Sequence, residues 1–190
     1  APSGGGALSA SRRVRFQPML SGGGQEGERR SGTENVAGIV GFGKAAELMK
    51  AALAAGSEAR VRGLRDRFEA GILGAVPGTA INGHLACRLP NTSNVYFEGV
   101  DAEGLLILLD AKGLYCSPGS ACSTGAFEPS RVITAMGYDK ERGRSSVRFS
   151  FSVLSTEAEV DEAVGMVREA AGKLRVVRPM GAGRVIRQQE

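Results

Sequence analysis

The chain has no tryptophan, and its aromatic residues amount to only 5% of 190 positions. It has a single histidine, His84, so a His-paired nucleophile or a multi-histidine metal site would have one ring to draw on, and most such constellations are excluded. The cysteines are Cys87, Cys116 and Cys122, an odd count at spacings of 29 and 6. That pattern suits neither a disulfide framework nor a C-x-x-C zinc site, and it favours a reducing compartment. No apolar run approaches the ~18 residues of a membrane span, and the opening Ala-Pro-Ser-Gly-Gly-Gly lacks the apolar stretch of a secretory signal. The expectation is a soluble, cytoplasmic protein. Neither sign of charge dominates: 24 Lys+Arg against 20 Asp+Glu leave +4, too little for a nucleic-acid footprint. What is abundant is glycine, 28 of 190, roughly twice the usual share. With 42% hydrophobic and 23% charged residues, the composition is that of a folded protein of one large or two small domains.

Residues 1–34 are dominated by Gly, Ser and Arg, with one apolar patch through Val14, Phe16 and Leu20 that predicts a short strand. A helix follows, with Val36, Ile39, Val40 and later Ala45, Leu48 and Met49 supplying an apolar face, Thr33 as N-cap and an end near Gly56. After Ser57 a second helix carries Val61, Leu64, Phe68 and Ile72 at three- and four-residue steps until Pro77-Gly78. Its Arg60, Arg62, Arg65 and Arg67 alternate with acids and read as a solvated face. Beyond Pro77 the texture is of short strands, at Thr79 to Ile81, Asn94 to Phe97, Leu114 to Cys116 and Ser146 to Phe151. A helix between Asp101 and Gly113 and a short one after Pro129 separate them. The last helix opens on a Thr156/Glu159 capping box, and from Arg175 the tail reads as loose. Helices alternating with single strands indicate an α/β or α+β fold, helices layered on a small sheet.

Three places could carry chemistry. Gly22 to Thr33 contains a literal G-x-G-x-x-G, but the third glycine does not open a helix, so the dinucleotide fingerprint is weak. At its far end Arg30, the Gly32 amide and the Thr33 hydroxyl precede a helix, an arrangement that suits an anion such as phosphate; a plain loop with a threonine cap is the alternative. Leu114 to Gly125 is a run of small residues holding two thiols. Cys116, beside Leu114 and Tyr115, reads as a small core residue. Cys122, among small neighbours, reads either as an accessible nucleophile or as an ordinary loop thiol. In Ser145 to Phe151, Val147, Phe149 and Phe151 share one face of a strand and Arg148 lies on the other, placed to fork onto a carboxylate or to form a surface salt bridge. His84 and Cys87 are three apart in a turn-rich stretch without further ligands, and no metal site is assigned.

Taken in order, Gly-Gly-Gly-Gln-Glu-x-x-x-Arg-Ser-Gly-Thr, Ser-x-Gly-Ser-Ala-Cys-Ser with Glu128-Pro129-Ser130 after it, and Ser-Ser-Val-Arg-Phe-Ser closely resemble the C-terminal half of pyridoxal-phosphate-dependent cysteine desulfurases. The resemblance runs from about residue 14 to 175 and is to the branch with the longer cysteine loop. It implies a fold-type I, class-V aminotransferase architecture, with helices on a small, mainly antiparallel sheet. It also implies a homodimer that takes sulfur from L-cysteine, releases L-alanine and carries the sulfur as a persulfide to an acceptor such as an iron–sulfur scaffold or a tRNA-thiolation carrier. By that resemblance Cys122 is the persulfide carrier, Arg148 holds the substrate carboxylate, and Thr33 reaches the cofactor phosphate of the partner subunit.

The resemblance further implies four segments: 1–34 as part of the large cofactor domain, 35–76 as a long helical connection, 77–178 as the C-terminal small domain with the cysteine loop, and 179–190 as a flexible tail. The family's Schiff-base lysine follows a histidine, and none of Lys44, Lys50, Lys112, Lys140 and Lys173 does. Ala1 to Leu8 is similar to the segment just beyond that lysine. The chain is therefore expected to be a C-terminal fragment with negligible desulfurase activity alone. The competing readings are a cofactor-free persulfide relay using Cys122 and a non-catalytic binding module using the basic Gly-rich segment.

Overall fold

The computed structural model describes residues 3–11, 13–118 and 129–177, in two compact units, Ala1–Gly56 and Ser57–Glu190. The helical segment 35–76 thus divides at Gly56.

The first unit contains α1 (Gln25–Glu28), a single turn left-handed at Glu26 and Gly27, and α2 (Val36–Ala54). Asn35 caps α2, its Oδ1 accepting from the Gly38 N–H at 3.0 Å, so Thr33 is not the N-cap. An Asn carbonyl is the better acceptor for an orphan N–H of the first turn. At the other end the Ala55 and Gly56 N–H groups return to Ala51 and Leu53 carbonyls, each at 3.0 Å. Gly56 has φ +79°, which glycine adopts without penalty and which ends the helix where the sequence placed it. The strand expected through Val14, Phe16 and Leu20 is absent, and all three side chains are exposed. A strand needs a neighbour to take its N–H and C=O groups, and none lies beside this stretch among the described residues of the unit.

The second unit follows the order α3 (Ser57–Ala75), β1 (Thr79–Ile81), β2 (Thr92–Phe97), α4 (Ala102–Asp110), β3 (Ser117–Pro118), α5 (Arg131–Ala135), α6 (Lys140–Arg144), β4 (Ser146–Ser150) and α7 (Glu157–Val177). The described strands form a four-stranded sheet in the order β1-β2-β4-β3, every pair antiparallel. Alternation along β2 and β4 turns Val95, Phe97, Val147 and Phe149 toward α3, α4 and α7, where they meet Leu64, Phe68, Ile72, Leu105, Leu109 and Val167 in one core. Asp101 caps α4 through the Gly104 N–H, and Ser130 caps α5 through the Ile133 N–H. The Thr156/Glu159 box opens α7 with reciprocal bonds of 2.7 and 3.2 Å.

Several sequence expectations are corrected. Leu114 to Cys116 is not a strand: the Leu114 N–H is spent on the Leu109 carbonyl at 3.0 Å, closing the end of α4, and pairing starts only at Ser117. The solvated arginine face fails at Arg65, which is 5% exposed. Its guanidinium donates to the Leu89 carbonyl at 2.8 Å and to Asp66 at 2.6 and 2.9 Å, which offsets burial of the charge. Neighbouring Glu69 is also buried and takes a two-pronged bond from Arg88. Arg175 is not in a loose tail but in the last turn of α7, donating to the Glu98 carbonyl at 3.2 Å. Helix α6 carries no sequence expectation, being too short for periodicity to show. Residues 179–190 lie outside the described residues.

Candidate active site

Arg148 sits at the centre of β4, opposite Asn94 of β2 and opposite Ser117 of β3. It is exposed and points to the sheet face away from the helical core, as the alternation Val147, Arg148, Phe149 requires. It makes no hydrogen bond or ion pair among the described residues. Of its two sequence readings, the surface salt bridge therefore has no partner among those residues. A planar guanidinium left unspent in the middle of a rigid strand is suited to a bidentate bond with an incoming carboxylate.

The same face carries a polar network that sequence reasoning missed. Asn82, 6% exposed, donates from Nδ2 to Asn94 Oδ1 at 2.6 Å and to Ser146 Oγ at 2.8 Å. Arg142 of α6 donates from Nε to Asn82 Oδ1 at 2.6 Å, and Ser146 Oγ donates to the Arg142 carbonyl, also at 2.6 Å. The Arg142 guanidinium lies 4.0 Å from the Tyr138 ring centroid and 5.0 Å from that of Tyr96, within cation–π range. Burial, together with Glu98, Glu141 and Asp139, holds the Tyr96 hydroxyl above its usual pKa. The Arg142 cation is thus committed to structure, while Arg148 of β4 has no such partner among the described residues. The alternation of Asn94 with Val95 and Phe97 was a legible sign that Asn94 faces away from the core. Nothing local marked Arg142, which meets Asn82 across 60 residues.

Cys122 lies outside the described residues, which stop at Pro118 and resume at Pro129. Cys116 is described, is partly buried against the core, and burial with nearby Asp110 pushes its thiol up to about 11. A thiol so shifted is a poor nucleophile at neutral pH. Cys87 is exposed, and its N–H and that of Ala86 donate to His84 Nδ1 at 2.9 and 3.1 Å. That ring nitrogen is engaged in closing a turn. Among the described residues no three His, Cys, Asp or Glu stand together as metal ligands.

Thr33 belongs to the first unit and Arg148 to the second. Around it the groups expected to bind an anion are largely spent. The Gly32 N–H donates to Gln25 Oε1 at 3.2 Å, and Arg30 turns back to the Gly32 and Thr33 carbonyls at 3.0 and 3.1 Å. The Thr33 hydroxyl itself is exposed and unpaired among the described residues. An open groove of about 560 Å³ beside α7 is lined by Leu114, Phe151, Leu154 and Met166, among others, and Arg148 is not part of its lining.

Three comparisons bear on this arrangement. The aminotransferase class-V family model matches residues 1–163. Cysteine desulfurase 2 of Trichormus variabilis is 45% identical over 179 residues, 94% of this chain and 44% of that protein. The cysteine desulfurase IscS of Methanosarcina thermophila is 45% identical over the same length and shares. A solved NifS-like protein superposes with a TM-score of 0.73 at 31% identity, covering 85% of this chain and 40% of its own. The chain spans less than half the length of the curated relatives it matches.

Proposed function

The chain belongs to the aminotransferase class-V family, and from that membership we propose that it is the sulfur-carrying part of a cysteine desulfurase, in which Arg148 holds the carboxylate of L-cysteine and Cys122 takes its sulfur. One observation carries the reading. Arg148, exposed and unspent among the described residues, is paired with Ser117 on the strand that leads to Cys122. Cys122 is five positions beyond Ser117, at most about 18 Å of chain.

The chemistry follows from these roles. Arg148 fixes the substrate by two parallel N–H bonds to its carboxylate, which orients the substrate sulfur. The Cys122 thiolate attacks that sulfur; the S–S bond forms as the substrate C–S bond breaks, and the bonding pair stays with the substrate carbon. Protonation of that carbon releases L-alanine and leaves a persulfide on Cys122 for an acceptor nucleophile, with an iron–sulfur scaffold as the proposed recipient. Pyridoxal phosphate, when bound, supplies the electron sink for the departing pair.

The described residues fit that cofactor only in part. The Thr33 hydroxyl, unpaired among the described residues, offers one phosphate contact. No lysine offers the covalent anchor: Lys44 is paired with Glu47, Lys112 and Lys173 with Glu169, and none of the five follows a histidine. We assign the anchor to the portion of the family polypeptide that this chain does not span. Residues 1–34 are assigned to the large cofactor domain and 77–178 to the small domain, and the complete enzyme to a cytoplasmic homodimer. No helix among the described residues is long and apolar enough to cross a membrane.

Incubation with a low-molecular-weight persulfide donor, followed by peptide mass spectrometry, tests the carrier assignment. Extra sulfur is expected on Cys122 and is lost in Cys122→Ser; labelling confined to Cys116 or Cys87 overturns the assignment. The chain alone, given pyridoxal phosphate and L-cysteine, is expected to release no sulfide. Steady turnover under those conditions would contradict the placement of the anchor outside this chain.

A further inference from the structure

The outer face of the sheet holds a chain of hydrogen bonds whose direction is fixed at one end. An asparagine amide offers an oxygen on one side and an NH2 group on the other, and a neighbour that both donates and accepts is satisfied by either end. Arg142 is not such a neighbour. Its guanidinium has donors only, and it is held over the Tyr138 ring, 4.0 Å from the centroid, with its Nε 2.6 Å from Asn82 Oδ1. Asn82 must therefore turn Oδ1 to Arg142, which leaves Nδ2 facing Asn94 and Ser146. Asn94 must in turn present Oδ1 to receive that donor, at 2.6 Å. The Ser146 hydroxyl accepts from the same Nδ2 and passes its own proton to the Arg142 carbonyl, so it does not reverse the order.

The polarity that starts at Arg142 ends on the Asn94 side-chain nitrogen, whose protons have no acceptor among the described residues. Asn94 of β2 is directly opposite Arg148 of β4, and both side chains stand on the face away from the core. Cross-strand neighbours of this kind have Cβ atoms about 5 Å apart, within reach of one small ligand. A carboxylate has about four lone-pair positions, and a guanidinium fork takes two of them. An NH2 group beside the fork meets one of those left over, whereas a reversed amide would set oxygen against oxygen. Ser117, on the other side of Arg148, carries a hydroxyl that turns either way and fixes no polarity.

We propose that the Asn94 side-chain nitrogen is a second donor to the carboxylate held by Arg148, and that Arg142, acting through Asn82, is the positioning residue that keeps this donor turned outward. The proposal rests on the reading of Arg148 as a carboxylate holder and not on the roles of Cys122 or pyridoxal phosphate.

Side-chain NMR of the 15N-labelled chain tests it, with propionate replacing chloride at constant ionic strength as the probe and propionamide as the neutral control. The Arg148 Nε–H and Asn94 NH2 signals are expected to shift along one binding curve with propionate and to stay in place with propionamide. Asn94→Asp keeps an oxygen for Asn82 but sets a carboxylate beside Arg148 in place of the donor, and propionate affinity should fall at least about 10-fold. Asn94→Ala should lower it about 3- to 10-fold. Arg142→Leu should cost as much as Asn94→Ala, with no further loss when the two are combined. Additive losses would show that Arg142 does not act through Asn94 and overturn its part. If Arg142→Leu fails to fold, Arg142→Lys takes its place; its donor-only head group should preserve both signals' shifts, and their loss would count against the relay. A shift at Arg148 with Asn94 unmoved overturns the proposal and leaves Arg148 as a carboxylate holder. No shift at either residue removes the reading of Arg148 and this proposal with it.

Discussion

Arg148 and Cys116 show how burial sorts residues of similar local context. Cys116 lies in a run of small residues six positions before Cys122, yet it packs against the core and burial pushes its thiol up to about 11. At pH 8 such a thiol is about 0.1% thiolate, against about a quarter for an unperturbed one. Iodoacetamide at pH 8 should therefore modify Cys116 about two orders of magnitude more slowly than free cysteine in solution, as followed by peptide mass spectrometry; equal rates would mean that Cys116 is not buried. Arg148 is the opposite case. Being exposed and unpaired among the described residues, its loss should barely affect folding. Arg148→Ala is expected to change stability by less than about 0.5 kcal/mol in urea titration. A larger loss would place it in structure and remove the reason for reading it as a carboxylate anchor.

Between elements, the contact of α3 with α7 decides how tightly the helical layer closes on the sheet. Beneath α3 three rings cluster on the sheet: Phe68 of α3 lies 4.7 Å from the Phe149 ring centroid and 5.5 Å from that of Phe151. On the outer side Arg67 forks onto Asp161 with two bonds of 2.7 Å, and Arg60 bonds the Val153 and Ser155 carbonyls just before α7. Where the helices approach, Gly71 leaves no room, since a Cβ there would stand 2.8 Å from a methyl of Val164. Valine's stiff χ1 lets that methyl yield little. Gly74, one turn on, faces open space. Gly71→Val should thus destabilise by about 1–3 kcal/mol through overpacking, whereas Gly74→Ala should stabilise by about 0.5–1 kcal/mol through helix propensity. Thermal denaturation of the two variants checks the contrast, and a stabilised Gly71→Val would show that α3 and α7 are not in contact at this point.

For the molecule as a whole, charge and core lead to separate expectations. Glu169 of α7 is held at about 2 by hydrogen bonds from Lys112 and Lys173, below its ordinary 4.5. Because the folded value is the lower one, these bonds favour the folded state above about pH 4.5, and that contribution disappears as pH falls toward 2. The thermal midpoint should decline across that range, less so in Glu169→Gln and in high salt, since the group is at the surface. An identical decline in the variant would show that Glu169 plays no part. The uneven distribution of core predicts a second behaviour. Limited trypsin digestion should cut first within 1–56 and leave a resistant piece beginning near Ser57, identified by its N-terminal sequence. Early cleavage inside α3 or α7 would contradict a closed second core.

How far the sequence could be read follows from how local each signal is. The capping box at Thr156, the α2 stop at Gly56, the strand at Thr79 to Ile81 and the outward-facing Arg148 are properties of a few adjacent residues, so the sequence by itself determined them. Phe68, Leu64 and Ile72 were legible as core because their spacing repeats the helical period. Burial of Arg65 depends on the Leu89 carbonyl 24 residues away, and the setting of Arg142 depends on Asn82, 60 residues back. Thr33 lost the capping role to Asn35 through the placement of one side-chain carbonyl. Only the tertiary structure could decide these points, and only it revealed that Arg142 of α6 is spent while Arg148 of β4 has no partner among the described residues. A charged side chain's fate is set by which groups the fold brings within hydrogen-bond reach, and those groups are distant in the chain.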